Sequence, residues 1–489
     1  MKKLLLINPA FNIAKAKYDS SLSVGLLCLA SYLHKRGVLV RIIDCARQEN
    51  WQKVLEDELP ATGYIGFSVM TTQIPSALQI AWQIRQKYPW IKLIWGGSHV
   101  TFFPEDSLKN SFVDFVVLNE GEATLFELIQ NFEDVRHQDF SKIKGLAWKK
   151  DDKIFINEPR PLLPMAEIPL PNWELMPDEV LTRLELVPTH TSRGCPHRCA
   201  FCINAITKNR WRQRQPEAVL QDLRVIKSMP AFVNKKLRFW DENFFVDLKR
   251  AQHIIDGMIV EGLTMPWETT IRADYFSRPQ MSDEFLEKLK KSGCYLLSFG
   301  AESGSPKILN KLDKDITREQ ILQSAQRCLR YEIIPQYSFM AGLPGETNKD
   351  MMMTVSLIDD LVRLDKRVQI LGPQAFRPYP GSTLYQECLA DGWQEPKGLR
   401  EWAGAVENEL SYLTPYQFPW VKNPDLVDSL EAYTRFGALS FESAIGSTVK
   451  AAKILKVIFS AICKLRWRLR FFKWPIEYKL AKKYIAASG

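Results

Sequence analysis

Two successive trains of short apolar runs, each run followed by a helical pattern, constrain this chain more than any other feature. In the first train the runs fall at residues 4–8, 40–44, 64–69, 92–95 and 114–118, and the intervening patterns repeat once per helical turn, as Leu22, Leu26, Leu29 and Leu33 do. Runs that are apolar at nearly every position suit strands buried on both faces, so these five units predict an open, doubly wound, Rossmann-like parallel sheet. Such sheets bind ligands beyond the carboxyl ends of their strands. In the second train the runs fall at 186–192, 237–241, 266–272, 295–301, 336–342 and 369–376. Six βα units predict a partial (β/α)6 barrel of the TIM type, with its chemistry at the carboxyl ends of the strands. Between the trains, a hairpin pattern, "GLAWKKDDKIFINEP", and the proline-rich "RPLLPMAEIPLPNWELMP" read as a linker. The class is therefore α/β, and the expected organisation is a first domain over 1–140, a linker over 141–185, a second domain over 186–410 and a helical C-terminal region over 411–489. A chain of 489 residues is long enough for several separate cores.

Directly after the first run of the second train stands "SRGCPHRCAFC", which puts Cys195, Cys199 and Cys202 within eight positions. A structural zinc site closes with four ligands, and the nearest fourth donors, His190 and His197, lie inside or beside the same short loop. A redox pair of Cys199 and Cys202 would leave Cys195 unexplained. Three unrelated buried cysteines fit poorly with so basic and polar a loop. A cluster of four irons and four sulfides takes one thiolate per iron, so three thiolates would leave one iron open to another ligand.

The CxxxCxxC spacing with Phe201 before its last cysteine closely resembles the radical S-adenosylmethionine family, over about residues 186–410. "WRQRQPEAVLQDL", "FWDENFF", "SFGAESGS", "MAGLPGET" and "RPYPGSTLY" follow in the family's order. The resemblance implies that Cys195, Cys199 and Cys202 hold a [4Fe–4S] cluster and that the open iron chelates S-adenosylmethionine. One electron then yields methionine and a 5′-deoxyadenosyl radical. Gly300 and Glu302, and the backbone of the loop from Gly342 to Gly345, are implied to hold this cosubstrate.

The N-terminal segment resembles the cobalamin-binding domain of one subgroup of that family, on "NPAF", "GLLCLASYLHKRG", "RIIDC", "FSVMTTQ", "IWGGSHVTFFPE" and "VDFVVLNEGEATLFEL". The subgroup includes methylases, tetrapyrrole cyclases and hopanoid-modifying enzymes. No DxHxxG follows any strand, so the cobalamin implied by the resemblance is base-off, with no protein histidine on the cobalt. Gly96 and Gly97 would allow its nucleotide tail to approach closely, and Ser68, Met70 and Thr71 lie at a strand end where they can face the corrin. His99 either bonds a ligand or bonds backbone. Gly96-Gly97 is not GxGxxG and no Walker sequence occurs, which argues against dinucleotide or nucleoside triphosphate binding. Further cysteines of the methylthiotransferase kind are lacking in this segment, which has only Cys28 and Cys45.

The net charge of +9 is concentrated at one end. From Lys450 onward eleven Lys or Arg face one acid, Glu477, which leaves the first 449 residues at −1. Within this tail Ile454, Ile458, Ile462, Leu465, Leu469 and Phe472 recur at helical spacing, with cations on the other faces. Such a helix either lies on an anionic membrane surface, through about 450–485, or packs its stripe on the barrel. No RNA-binding module accompanies it, so nucleic acid is not expected as a partner. An odd cysteine count and no cleavable leader after Met1-Lys2-Lys3 point to a reducing cytoplasm, with any membrane contact peripheral and on the inner face.

Together these features suggest a cobalamin-dependent radical enzyme, a methyltransferase acting at an unactivated carbon of a small-molecule, natural-product or lipid-like substrate. Its reductant would be a protein such as flavodoxin or ferredoxin. The alternatives are a radical cyclase of the anaerobic tetrapyrrole type and a non-catalytic, membrane-associated iron-sulfur protein.

Overall fold

The computed structural model describes residues 2–11, 23–134, 138–204, 210–407, 414–439 and 450–487. By internal packing the chain forms one unit of Met1–Arg193, Arg210–Arg238 and Glu395–Tyr412, and another of Gly194–Asn209, Phe239–Gln394 and Leu413–Gly489.

The first unit is built on strands β1 (Lys3–Asn8), β2 (Val40–Asp44), β3 (Thr62–Ser68), β4 (Lys92–Gly96), β5 (Phe115–Val117), β6 (Leu146–Lys150) and β7 (Lys153–Ile156), in the order β2-β1-β3-β4-β5-β6-β7. The pairings among β1 to β5 are parallel, as the apolar runs predict. The pattern around Leu26 forms the helix Val24–His34, capped by the Ser23 hydroxyl on the Leu26 amide; Leu22 lies outside the described residues. The strand order reverses direction between β1 and β3, which opens a crevice at their carboxyl ends. There Gln73 donates to Asn8 Oδ1 (3.0 Å) and to the Pro9 carbonyl (2.7 Å), and Asn8 donates to Asp44 (3.3 Å).

The hairpin read as linker belongs instead to this sheet. β6 pairs antiparallel with β5, and β7 with β6. Trp148 supplies the reason, since it stacks on Phe155 (4.7 Å) and meets Phe140 (5.5 Å), which in turn meets Phe115 on β5 (5.0 Å). This aromatic column closes over the short β5, whose edge would otherwise stay unpaired.

The second train gives β8 (Leu186–Thr189), then the short antiparallel pair β9 (Ser192–Arg193) and β10 (Arg212–Gln213), then β11 (Lys236–Phe239), β12 (Trp267–Ile271), β13 (Cys294–Glu302), β14 (Ile334–Ala341) and β15 (Gln369–Ala375). The larger strands follow the sequential order β15-β14-β13-β12-β11-β8 of a partial barrel, and β12 to β15 run parallel. Phe299, Tyr337 and Phe339 are buried on one face of this sheet, and Tyr337 reaches Ser324 (2.7 Å) on the helix Arg318–Arg330. On the other face Ser298, Gln336, Ser338 and Met340 stay half-open and Leu371 is exposed. That face is the barrel lumen.

Beyond the barrel the chain is helical, with Pro424–Tyr433, Lys450–Leu469 and Ile476–Ala487. Of the two alternatives for the tail stripe, packing on the barrel does not hold for the stripe as a whole. Ile458, Leu465 and Leu469 are 51%, 57% and 63% exposed, while the buried residues are Cys463, Trp467 and, past the helix end, Phe472. The fold uses the opposite face because Gly437 lets the backbones approach: a Cβ there would lie 2.7 Å from the Cys463 carbonyl and 2.9 Å from Trp467 Cβ. Trp467 also donates its indole N–H to Asp359 (2.6 Å). Among the described residues no helix is long and apolar enough to cross a membrane.

Candidate active site

The cysteine loop leaves β9 through Gly194, whose φ of +80° turns the chain. Cys195 is buried, and Cys199 and Cys202 are half-buried. Two backbone bonds fix the middle of the loop, from the Ala200 amide to the Leu312 carbonyl (2.9 Å) and from the Leu384 amide to the Ala200 carbonyl (2.9 Å). The thiols sit in a cationic setting. Arg272, just past β12, places Nη1 3.9 Å from Cys199 Sγ, and is itself held by Asp274 (2.8 Å) and by the Lys314 carbonyl. Lys314 is buried, bonds Glu302 at 2.9 Å and lies 5.5 Å from the centre of the Phe201 ring. Burial alone would lower its pKa, but the Glu302 carboxylate and Cys199 more than offset this and raise it. Gly300 lies against the ends of this pair: a Cβ there would meet both Glu302 Oε1 and Lys314 Nζ and push them aside.

Burial pushes the Cys195 thiol up to about 11 and also raises Cys202. Ligation of a metal would release the thiol protons, and the nearby cations favour the anionic product. Among the described residues no group of three or more Cys, His, Asp or Glu is drawn together around a metal position, the three thiols included. His197 is engaged elsewhere, with Nε2 3.0 Å from the Tyr275 hydroxyl, which also accepts from Asn243 (3.0 Å). Three soft thiols on one loop beside Arg272 and Lys314 are the donor type of an iron-sulfur cluster, which carries negative charge with its thiolates.

The loop after β14 is tied to itself. Glu346 accepts the amides of Gly342 (2.6 Å) and Leu343 (3.2 Å), Trp420 donates to the Gly342 carbonyl (2.9 Å), and Lys307 donates to the Gly345 carbonyl (2.8 Å). Burial pushes Glu346 up to about 7. Gly342 and Gly345 both adopt positive φ. The backbone expected to grip a cosubstrate thus spends two amides on its own Glu346.

In the first unit the residues picked out from the sequence meet at the ends of β3 and β4. Ser68 pairs with Gly96, the Val69 amide donates to the Gly96 carbonyl (2.8 Å), and Met70 is exposed. His99 is buried, its Nδ1 3.1 Å from Thr71 Oγ1, so this ring nitrogen bonds a side chain instead of backbone. Burial pulls its pKa down to about 3, which keeps the imidazole neutral. No sequence signal pointed to Trp402, on the helix Gly398–Glu407, whose ring stands edge-on to His99 at 5.4 Å and meets Phe103 at 5.6 Å. Gly97 has φ +100° and ψ 178°, and a Cβ would lie 2.6 Å from the Val69 carbonyl. Gly97→Ala is therefore expected to destabilise the first unit by about 1–3 kcal/mol, seen as a lower urea midpoint in a denaturation series.

Family models match both halves of this arrangement. The B12 binding domain matches residues 10–129, and the radical SAM superfamily matches 189–358. The chain carries a radical SAM domain and a B12 binding domain. An uncharacterised methyltransferase of Pyrococcus horikoshii is 29% identical over 404 residues, 80% of this chain and 84% of the relative. The anaerobic magnesium-protoporphyrin IX monomethyl ester cyclase of Synechocystis is 27% identical over 322 residues, 64% of this chain and 63% of the relative. Among solved structures, the radical S-adenosylmethionine methyltransferase TsrM of Kitasatospora setae, with cobalamin and a [4Fe-4S] cluster bound, superposes with a TM-score of 0.65 at 18% identity and 85% coverage of each chain. The cobalamin-dependent radical enzyme OxsB superposes at 0.67 and 18% identity, over 95% of this chain and 72% of OxsB. These two likenesses establish a shared fold. The radical SAM domain implies a [4Fe–4S] cluster and S-adenosylmethionine, and the B12 binding domain supports cobalamin.

Proposed function

We propose that this protein is a cobalamin-dependent radical S-adenosylmethionine methyltransferase acting at an unactivated carbon of a natural product or lipid-like molecule. The observation that carries the reading is the three-thiol loop with Arg272 at 3.9 Å from Cys199 Sγ, in a chain that also has a B12 binding domain. When bound, the cluster and S-adenosylmethionine supply a carbon radical that abstracts hydrogen, and cobalamin supplies a methyl group. The chain's own residues do the rest. Cys195, Cys199 and Cys202 provide the sulfur donors and leave one iron without a protein ligand. Arg272 and Lys314 balance the negative charge, and Glu302 with Gly300 shapes the floor beside them.

The lumen groups Ser298, Gln336 and Ser338 offer uncharged hydrogen-bonding partners, and Met340 and Leu371 offer apolar surface. In the first unit, Ser68, Met70, Thr71, Gly96 and Gly97 form the edge that receives the corrin. His99 is occupied by Thr71 and enclosed by Phe103 and Trp402, which favours base-off cobalamin with no protein imidazole on the metal. The electron comes from a flavodoxin- or ferredoxin-like reductant.

A radical cyclisation without methyl transfer is the second reading, favoured by the Synechocystis cyclase among the relatives. Anaerobic incubation with reductant, cobalamin, methyl-labelled S-adenosylmethionine and candidate substrates separates the two. The methyltransferase releases both 5′-deoxyadenosine and S-adenosylhomocysteine and labels the substrate. Production of 5′-deoxyadenosine without S-adenosylhomocysteine favours the cyclase, and neither product would overturn the enzymatic reading.

A further inference from the structure

The helix Lys450–Leu469 has two apolar faces, and the fold consumes only one. Cys463 and Trp467 are buried against the second unit, where Gly437 admits them and Asp359 receives the Trp467 N–H. On the opposite side Ile458, Ala461, Leu465 and Leu469 follow one another at steps of three, four and four residues, which makes one continuous stripe. All four are exposed. Past the helix end Phe471, Trp474, Ile476 and Leu480 are exposed too, with Trp474 at 72%. An apolar stripe this contiguous calls for a partner.

Charge identifies the kind of partner. Lys464, Arg468 and Lys473 flank the apolar residues, are exposed, and form no ion pair among the described residues. The single acid of the segment, Glu477, is already engaged by Arg466 (2.5 Å) and the Tyr433 hydroxyl (2.6 Å). A second copy of this chain would bring like charges face to face. An apolar row edged by uncommitted cations, with aromatic rings at its end, matches the interface of an anionic bilayer, where the row sinks to the acyl boundary and the cations meet phosphates. We propose that this outward face of the C-terminal helices docks the protein, lying flat, on an anionic lipid surface. The proposal is independent of which reaction the barrel performs.

Co-sedimentation of the full chain with vesicles tests it, using phosphatidylcholine alone and phosphatidylcholine mixed with phosphatidylglycerol, each at low and high salt. Binding is expected only to the mixed vesicles and is expected to weaken with salt. Leu465→Glu with Leu469→Glu should abolish it; both side chains face solvent, so folding is untouched. Lys464→Gln with Arg468→Gln should weaken it about 30-fold, at roughly fivefold per cation. The proposal fails if mixed vesicles do not retain the protein at low salt, if either double variant binds like the parent, or if sedimentation without lipid reveals a dimer that the Leu465 and Leu469 changes dissolve.

Discussion

Cys199→Ala is expected to abolish formation of 5′-deoxyadenosine from S-adenosylmethionine while leaving corrin binding unchanged. Among the three thiols Cys199 has the guanidinium of Arg272 directly at its sulfur, 3.9 Å away, and its carbonyl accepts the Cys202 amide at 3.0 Å. Alanine keeps that backbone bond and removes only the sulfur. A cluster left with two protein thiolates either fails to assemble or loses the differentiated iron, so the loss should be complete instead of graded. Corrin binding is expected to survive because Ser68, Met70, Thr71, Gly96, Gly97 and His99 belong to the other compact unit. Chromatography of the nucleoside product, beside absorbance titration with hydroxocobalamin, reads both halves in one preparation. Retained cleavage in Cys199→Ala, or a parallel loss of corrin binding, would contradict the division of labour.

Lys314→Met is expected to be the most destabilising single change near the site. The Lys314 and Glu302 side chains are each only 8% exposed. Removal of one partner strands the other as a buried, uncompensated charge, which costs about 3–5 kcal/mol. For a unit of this size that corresponds to a fall of roughly 6–20 °C in its thermal transition. Replacement of both, Lys314→Met with Glu302→Leu, removes the stranded charge and should recover most of the loss. The double variant should still cleave S-adenosylmethionine poorly, because the groups beside the thiols are gone. Differential scanning calorimetry of the full chain, with the cleavage assay alongside, distinguishes stability from chemistry. A single variant as stable as the parent would mean that the pair is not buried in solution.

The first sheet was readable in the sequence because its strands are covered on both faces, so Leu4 to Ile7 or Ile65 to Phe67 show as nearly unbroken apolar runs; the second was readable from the regular spacing of its runs, although β14 alternates buried and half-open residues. The cysteine loop was readable because its chemistry is local, three donors within eight positions. What could not be read depends on partners far along the chain. Nothing in the segment around Trp148 says that the hairpin will extend the first sheet, since the deciding contacts, to Phe115 and Phe140, lie at separations that local periodicity does not sense. Trp402 belongs by sequence to the end of the barrel and by packing to the first unit, beside His99. Lys314 stands in "KLDKDIT" and looks like any solvated lysine until Glu302 is brought against it. In the tail, periodicity located an amphipathic helix but left open whether the fold buries its stripe, because the helix is apolar on two sides and Gly437 decides between them.

The central claim, an iron left without a protein ligand by a loop that offers three thiolates, is tested most directly by electron paramagnetic resonance of the anaerobically reconstituted, reduced protein with and without S-adenosylmethionine. The account predicts about four irons per chain and a spectrum that changes when S-adenosylmethionine is added, since the vacant iron takes up its amino and carboxylate groups. A spectrum indifferent to S-adenosylmethionine, or zinc in the loop in place of iron, would contradict it.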